Sequence, residues 1–454
     1  MQAALVFPQT TDVMGGGDSN SFPPYGIFYL AAILRDHGHQ VHTYVSPKSN
    51  IFDESFISNV INDCDILGLS ANSINWRYLR AFSFIARSLR PDMPIILGGI
   101  HASAFDKHAL NVTPADYVVR GEGEITFLEL LDALMGKREL SKVKGLTYRD
   151  KSGNIVVNPD RSLLSEDILE SQPVPAYDLL PLNEYNGIAI ESSRGCANNC
   201  AFCSIPYRGN YRFIGPKTFV SRLKKSLDIA KPRLISSKGK TPIYILDDCF
   251  TISSSRVKEI FEMLIPLKND VYYGLEARAD QINEETVKAM SEHEFWLIQM
   301  GLESGYSDGL NKINKAISLE DIEKACKILR DYGLSNVTNY SFIIGLPWET
   351  KADCLRTLDY ALYLHLKFGG HISINWYEPF PGSFLWEKLN RDKFPVELGI
   401  YDGQDCNWRE DLDIFHRLHP LLCPNDIDEV EETVAALAIL DHKYLQYFKY
   451  FHNK

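Results

Sequence analysis

Three cysteines, Cys196, Cys200 and Cys203, fall within the stretch RGCANNCAFC (194–203), and no fourth cysteine or histidine stands beside them. Structural zinc closes on four ligands, and most iron–sulfur clusters also take four thiolates. Three thiolates from one loop can instead hold three irons of a 4Fe–4S cube and leave the fourth open. An open coordination site is what a substrate needs. Two other readings stand beside this one. A zinc site would draw a remote fourth ligand such as Cys249 or His293, and unrelated cysteines can share a buried helix face.

Strands and helices must hold such a loop in place. It follows the apolar run GIAI (187–190), and five further strand-like runs come after it: IYILDDCF, VYYGLEAR, FWLIQMGLES, NVTNYSFIIGLP and HISINWYEPFPG. Helical segments separate them, so residues 187–395 read as a complete or partial parallel (β/α) barrel with chemistry at the strand carboxyl ends. Residues 1–140 also alternate. AALVF, HQVHTYV, DILGLSA, PIILGG and ADYVVRGEGE are strand-like, and YGIFYLAAILRDHG is a helix that closes on Gly38. This pattern predicts a Rossmann-like parallel sheet covered on both faces.

Ligands of such sheets sit beyond the strand carboxyl ends. That rule selects Gly15–Gly17, Ser70 to Ser73, GGIHAS (98–103) and GEGE (121–124). Residues 141–186 read as a connector containing a hairpin, GLTYRDKSGNIVVNP, and a proline-rich crossing. Residues 396–454 read as a small helical cap, acidic and aromatic.

Bulk composition narrows the setting. A chain of 454 residues exceeds one ordinary core. Its hydrophobic content of 45% and charged content of 23% are those of a soluble globular protein. A formal charge of −12 argues against nucleic-acid binding, and the one basic stretch, 222–240, reads as a solvated helix and loop. The N-terminus lacks a basic and apolar leader, and no apolar run reaches the roughly 20 residues of a membrane span. An odd count of nine cysteines does not describe a disulfide framework, so a reducing cytoplasm is expected.

CANNCAFC, with Phe202 before its last cysteine, matches the CxxxCxxC signature of radical S-adenosylmethionine (SAM) enzymes, and the later strands resemble that family in order. ILDDCF resembles the segment whose polar groups hold the SAM amine, which implies Asp247 or Asp248. LEARAD and QMGLESG resemble the third- and fourth-strand motifs, implying Arg278, Glu303 and Ser304 near the SAM carboxylate and ribose. FIIGLPWET, with Ile344 and Gly345, resembles the adenine-contacting segment, and YEPFPGSFLWE the sixth-strand turn. The resemblance implies that the open iron chelates SAM and that an electron cleaves its C5′–S bond. The resulting 5′-deoxyadenosyl radical then abstracts hydrogen from substrate, and an electron donor such as flavodoxin or ferredoxin is expected.

A sheet domain ahead of this barrel resembles two groups. Methylthiotransferases carry a second cysteine set there, whereas this chain has only Cys64 before residue 196 and ends in an acidic helical segment. The subfamily with an N-terminal cobalamin domain fits PPYGIFYLAAILRDHGHQV, DILGLSANS, IILGGIHASAF and YVVRGEGEITFLELL. It implies cobalamin contacts from Gly15, Gly16, Gly17, Ser70, Asn72, Gly98, Gly99, His101, Gly121 and Glu122. The DxHxxG loop of cobalamin mutases is missing, so no protein histidine is expected below the cobalt.

The implied activity is methyl transfer to an unactivated carbon or phosphorus of a small biosynthetic intermediate. Cyclisation, ring contraction or oxidation is the alternative, and a cluster-based sensor is a different class. Trp376, Tyr377, Trp386 and Trp408 line an apolar pocket or form ordinary core. Cys406 and Cys423 read as inert buried thiols.

Overall fold

The structure is a computed structural model that describes residues 1–8, 22–46, 53–235, 239–389 and 419–440. Gly15, Gly16, Gly17, Cys406 and Trp408 lie outside the described residues, as does most of the expected cap.

The first sheet has seven strands. Its chain order is β1 (Gln2–Pro8), β2 (Gln40–Ser46), β3 (Ile66–Ser70), β4 (Ile95–Gly98), β5 (Tyr117–Val119), β6 (Leu146–Arg149) and β7 (Ile155–Val157), and its spatial order is β2-β1-β3-β4-β5-β6-β7. The first five pair in parallel, while β6 and β7 are antiparallel. The hairpin read as part of a connector thus extends this sheet. β3 shows why these runs fold as they do: Ile66, Leu67, Gly68 and Leu69 are all buried, as a strand covered by helices on both faces must be.

Six parallel strands build the second sheet: β8 (Ile188–Ile190), then β11 (Thr241–Ile245), β12 (Val271–Ala277), β13 (Phe295–Glu303), β14 (Thr338–Ile344) and β15 (His371–Trp376). Their order, β15-β14-β13-β12-β11-β8, leaves β8 and β15 unpaired with each other, so the barrel is partial. A two-stranded ribbon, β9 (Ser193–Arg194) and β10 (Arg212–Phe213), stands after β8. Capping boxes at Ser318 and Thr350 start the helices Leu319–Asp331 and Lys351–Phe368. The described part of the cap centres on the helix Pro424–Leu440, whose Val430, Val434 and Leu437 pack with Cys354, Leu358 and Ile344. Cys423, expected to be buried, is exposed, because it stands just ahead of this helix and outside that packed face.

One apolar core runs through both sheets. Leu5 and Phe28 of the first join Tyr177, Ile188, Phe219 and Leu223 in a continuous buried cluster. Tyr177 is the seam: its ring lies 5.8 Å from Phe28, and its hydroxyl donates to the Ala189 carbonyl within β8. No helix among the described residues is long and apolar enough to cross a membrane.

Candidate active site

The cysteine loop, residues 195–211, hangs from the β9–β10 ribbon at the carboxyl end of β8. Its root is clamped by the two aspartates after β11. Asp247 is buried and accepts from the backbone N–H of Ser192 (2.6 Å) and Ser193 (2.9 Å), and from both hydroxyls. Asp248 accepts from Gly195 N–H at 3.0 Å. Gly195 adopts φ 76°, and a Cβ there would sit 2.3 Å from the Asn210 carbonyl oxygen, so only glycine closes this root. Farther along, Gly209 N–H donates to the Cys196 carbonyl (2.7 Å), Arg208 to the Cys203 carbonyl (2.7 Å), and Ala201 N–H to the Ile313 carbonyl (2.8 Å).

The three sulfurs have unequal surroundings. A hydrogen bond with buried Cys249 leads in drawing the Cys196 thiol down to about 5. Burial pushes Cys200 up and Cys203 up to about 11. Arg278 Nη1 stands 3.9 Å from Cys200 Sγ. Among the described residues no three His, Cys, Asp or Glu side chains close on a single metal ion. What the loop does offer is three free thiols, the donor type that an iron–sulfur cluster takes. Of the two candidate remote zinc ligands, Cys249 does stand at the loop, hydrogen-bonded to Cys196, whereas His293 is buried against Phe261 with its Nε2 on the Phe261 carbonyl at 2.8 Å.

The strand ends beside this loop gather most of the other expected residues. Arg278 is buried, with Nε 3.0 Å from Asp280 and Nη2 donating to the Lys315 carbonyl at 2.7 Å. Glu303, at φ 70°, is paired with buried Lys315 at 2.9 Å. Positive φ is costly for glutamate and marks a backbone held for a purpose. Lys315 also lies 5.9 Å over the Phe202 ring. Ser304 is fully buried, with its hydroxyl 3.5 Å from the Tyr306 carbonyl. Gly345 has φ 72°, and a Cβ would strike Trp376 at 2.4 Å. Ile344 turns its side chain outward into the satellite core under the last helix, so it offers only backbone to the mouth.

Sequence reasoning missed Lys315 and Glu276. A carboxylate at a strand end required a cation, but Lys315 lies twelve residues beyond Glu303, past a further turn of helix. Glu276 alternates to the inner face of β12, accepts from Tyr244 at 2.8 Å, and is pushed up to about 7 by burial. Its row continues through Gln299, which faces it in register, to Asn339 and Ser373, linked by 2.7 Å hydrogen bonds. Barrel interiors are ordinarily filled by branched apolar residues; here this row of half-buried positions is polar.

The carboxyl edge of the first sheet collects the remaining expectations. Ser70 and Gly98 face each other in register, and Asn72 exchanges hydrogen bonds of 2.8 Å with Asn75. Gly99 has φ 91°, and a Cβ would lie 2.3 Å from the Ala71 carbonyl oxygen, so the chain must stay bare here. His101 stacks on Trp76 at 4.5 Å and meets Ser73 Oγ at 3.2 Å. Its Nε2 is buried without a partner, and burial draws the imidazole down to about 4. A neutral ring with one orphan nitrogen beside a glycine cradle is suited to a ligand with polar groups. Gly121, at φ 69°, donates its N–H to Ser103 Oγ (3.0 Å).

Glu122 behaves otherwise. Both its oxygens turn into the domain seam, where they accept from Arg194 (3.0 Å), Arg212 (2.9 Å) and Leu164 N–H (2.7 Å). Its carboxylate therefore has no free face for a corrin. Glu124 joins Arg194 at 2.7 Å, and Glu191 does so at 2.7 Å from the other side. The acidic GEGE and the arginine of SRGC were visible signals of opposite sign, but nothing in the sequence brought them together.

A nucleotide-type sheet whose ligand edge abuts a partial barrel bearing a three-cysteine loop defines a two-cofactor radical enzyme. Residues 190–361 match the Radical SAM superfamily, and residues 13–131 match the B12 binding domain. The chain is 31% identical to an uncharacterized methyltransferase of Pyrococcus horikoshii over 85% of its own length and 83% of the relative. It is 27% identical to the anaerobic magnesium-protoporphyrin IX monomethyl ester cyclase of Rubrivivax gelatinosus, over 97% of this chain and 76% of the relative. Its fold is shared with the radical SAM methyltransferase TsrM of Kitasatospora setae, solved with cobalamin and a 4Fe–4S cluster. The TM-score is 0.67 at 17% identity, covering 87% of this chain and 76% of that one. The chain belongs to the radical SAM enzymes with an N-terminal B12-binding domain. Its cofactors are a 4Fe–4S cluster, SAM and cobalamin.

Proposed function

We propose that the protein is a cobalamin-dependent methyltransferase that modifies an unactivated carbon or phosphorus of a small biosynthetic intermediate. One observation carries this reading: the GEGE turn at the corrin edge is joined by buried ion pairs to the root of the cysteine loop. Two cofactor domains locked together there are suited to working on one substrate between them. The 31% identical relative, itself described as a methyltransferase, supports the same reading. Cyclisation or oxidation is the second reading, favoured by the cyclase relative.

When bound, the cluster and SAM supply hydrogen abstraction and the corrin supplies a methyl carrier. The chain's own residues do the positioning. Cys196, Cys200 and Cys203 would ligate the cluster, with Arg278 beside Cys200 offsetting thiolate charge. Phe202, Asp248, Glu303, Ser304 and the backbone of Ile344 and Gly345 would border SAM. With both oxygens already taken, Asp247 shapes the loop and does not meet the ligand. Lys315 holds Glu303 in a single orientation. Ser70, Asn72, Gly98, Gly99, His101 and Gly121 would border the corrin and its tail, with His101 Nε2 the donor or acceptor that lacks a partner. Burial around the seam excludes water from the reacting centre.

The test begins with anaerobic reconstitution and a titration with hydroxocobalamin, read by visible spectra and cobalt(II) EPR. Stoichiometric binding without histidine superhyperfine splitting, followed by joint formation of S-adenosylhomocysteine and 5′-deoxyadenosine, is expected. 5′-Deoxyadenosine without S-adenosylhomocysteine would replace methyl transfer with cyclisation or oxidation.

A further inference from the structure

The stem of the cysteine loop contains an electrostatic conflict that the corrin domain resolves. β9 and β10 pair Arg194 directly opposite Arg212. Like charges on directly opposed residues push a ribbon apart. Neither guanidinium can relieve this by reaching water, because the two side chains are only 11% and 12% exposed. Glu122, 4% exposed, lies against both and accepts from each Nη1. It arrives from the other domain, 72 residues before Arg194 and 90 before Arg212.

The two arginines do not depend on it equally. Glu124 and Glu191 also neutralise Arg194, each at 2.7 Å. Among the described residues Glu122 is the only carboxylate paired with Arg212, whose Nε and Nη2 are buried without partners. Remove Glu122, and buried Arg212 faces Arg194 with no carboxylate of its own, holding only the Leu164 carbonyl (2.8 Å) and the face of the Tyr207 ring. Loss of one partner from a buried ion pair is strongly destabilising for that reason.

We infer that Glu122 is a positioning residue for the iron–sulfur cluster: the loop carrying Cys196, Cys200 and Cys203 closes its stem only when the corrin domain inserts Glu122 between Arg194 and Arg212. This rests on the reading of those cysteines as cluster ligands. GEGE then serves the barrel's cofactor, although it lies at the edge of the corrin's own sheet.

Full-length wild type, Glu122→Ala and the double variant Glu122→Ala/Arg212→Leu would be reconstituted with iron and sulfide and loaded with hydroxocobalamin. Iron retained after desalting, EPR of the reduced cluster, its dipolar coupling to cob(II)alamin, and hydroxocobalamin affinity would be read. Glu122→Ala is expected to bind hydroxocobalamin as wild type does, to retain iron about tenfold less well, and to lose a defined dipolar coupling. The double variant, relieved of the opposed charge, is expected to recover both. Weakened hydroxocobalamin binding with iron retention intact would overturn the inference and make Glu122 a corrin contact. A double variant no better than the single one would also overturn it. If Glu122→Ala is insoluble, Glu122→Gln keeps an acceptor for Leu164 N–H without the charge, and unchanged iron retention there overturns the inference. Failure of wild type to bind hydroxocobalamin would defeat the methyltransferase reading and leave the iron comparison standing.

Discussion

At the scale of single residues, the inner face of the barrel makes a pH prediction. Glu276 is held at about 7, chiefly by burial, with the Tyr244 hydroxyl opposing and the charges of Glu303 and Asp248 adding to the rise; Lys315 lowers it. Its folded pKa thus exceeds that of an unfolded glutamate, about 4.3. The folded state keeps a proton that the unfolded state has released between those values, so Glu276 favours folding most at low pH. That contribution is lost as pH rises from about 4.3 through about 7. Thermal melts of the cofactor-free protein should show a flatter dependence over this window in Glu276→Gln; an unchanged slope would remove Glu276 from the account. Gly99→Ala makes a second prediction at this scale. Forcing a Cβ into the left-handed region costs at least about 1–2 kcal/mol, and the clash with Ala71 adds to it. Lower stability and weaker hydroxocobalamin binding are expected together, by melting and by spectral titration. A variant as stable as wild type would show that the loop shifts freely.

At the scale of elements, the cysteine loop is a ribbon whose root is tied by Asp247. Asp247→Ala would strand two backbone donors and two hydroxyls of Ser192 and Ser193. Partners that orient metal ligands commonly contribute about 10–100-fold in affinity. Iron retention in Asp247→Ala should fall by that order, measured on the reconstituted protein, and full retention would show that the loop needs no clamp. This scale also separates what the sequence disclosed from what it withheld. The six barrel strands were legible because each is an apolar run ended by polar residues, and their order followed from βα alternation. The cysteine spacing was legible for the same local reason, whereas Asp247 and Asp248 were singled out by the family resemblance of ILDDCF. That Asp247 takes Ser192 and Ser193 while Asp248 takes Gly195 was not legible, since adjacent carboxylates differ only in which donors the fold brings to them. Nor was the role of Glu122, which depends on Arg194 and Arg212 far along the chain. The hairpin at 146–157 was seen as a hairpin, but its docking on β5 was a tertiary choice.

At the scale of the whole molecule, the two sheets share one apolar core. Phe28 packs on Tyr177, Tyr177 bonds to Ala189, and the Phe28 carbonyl accepts from Ala176 N–H at 2.9 Å. Chains of this length commonly unfold domain by domain. Here the continuous core predicts that the halves unfold in one calorimetric transition, with two well-separated peaks as the contrary result. The same seam predicts that residues 1–186, expressed alone, would expose the Tyr177 face and bind a hydrophobic dye.

The opposed arginines of the loop stem carry a final consequence, for the order in which the chain is made. A ribosome releases the N-terminal segment first. Glu122 has therefore already been made when Arg194 and then Arg212 leave the exit tunnel. The stem can close as soon as Arg212 emerges, with no need of a segment synthesised later. In a circular permutant that began at the barrel and ended with the first sheet, the same contacts would exist only after synthesis was complete. Such a chain should acquire iron late and inefficiently during translation, while reaching the same final content after refolding and reconstitution.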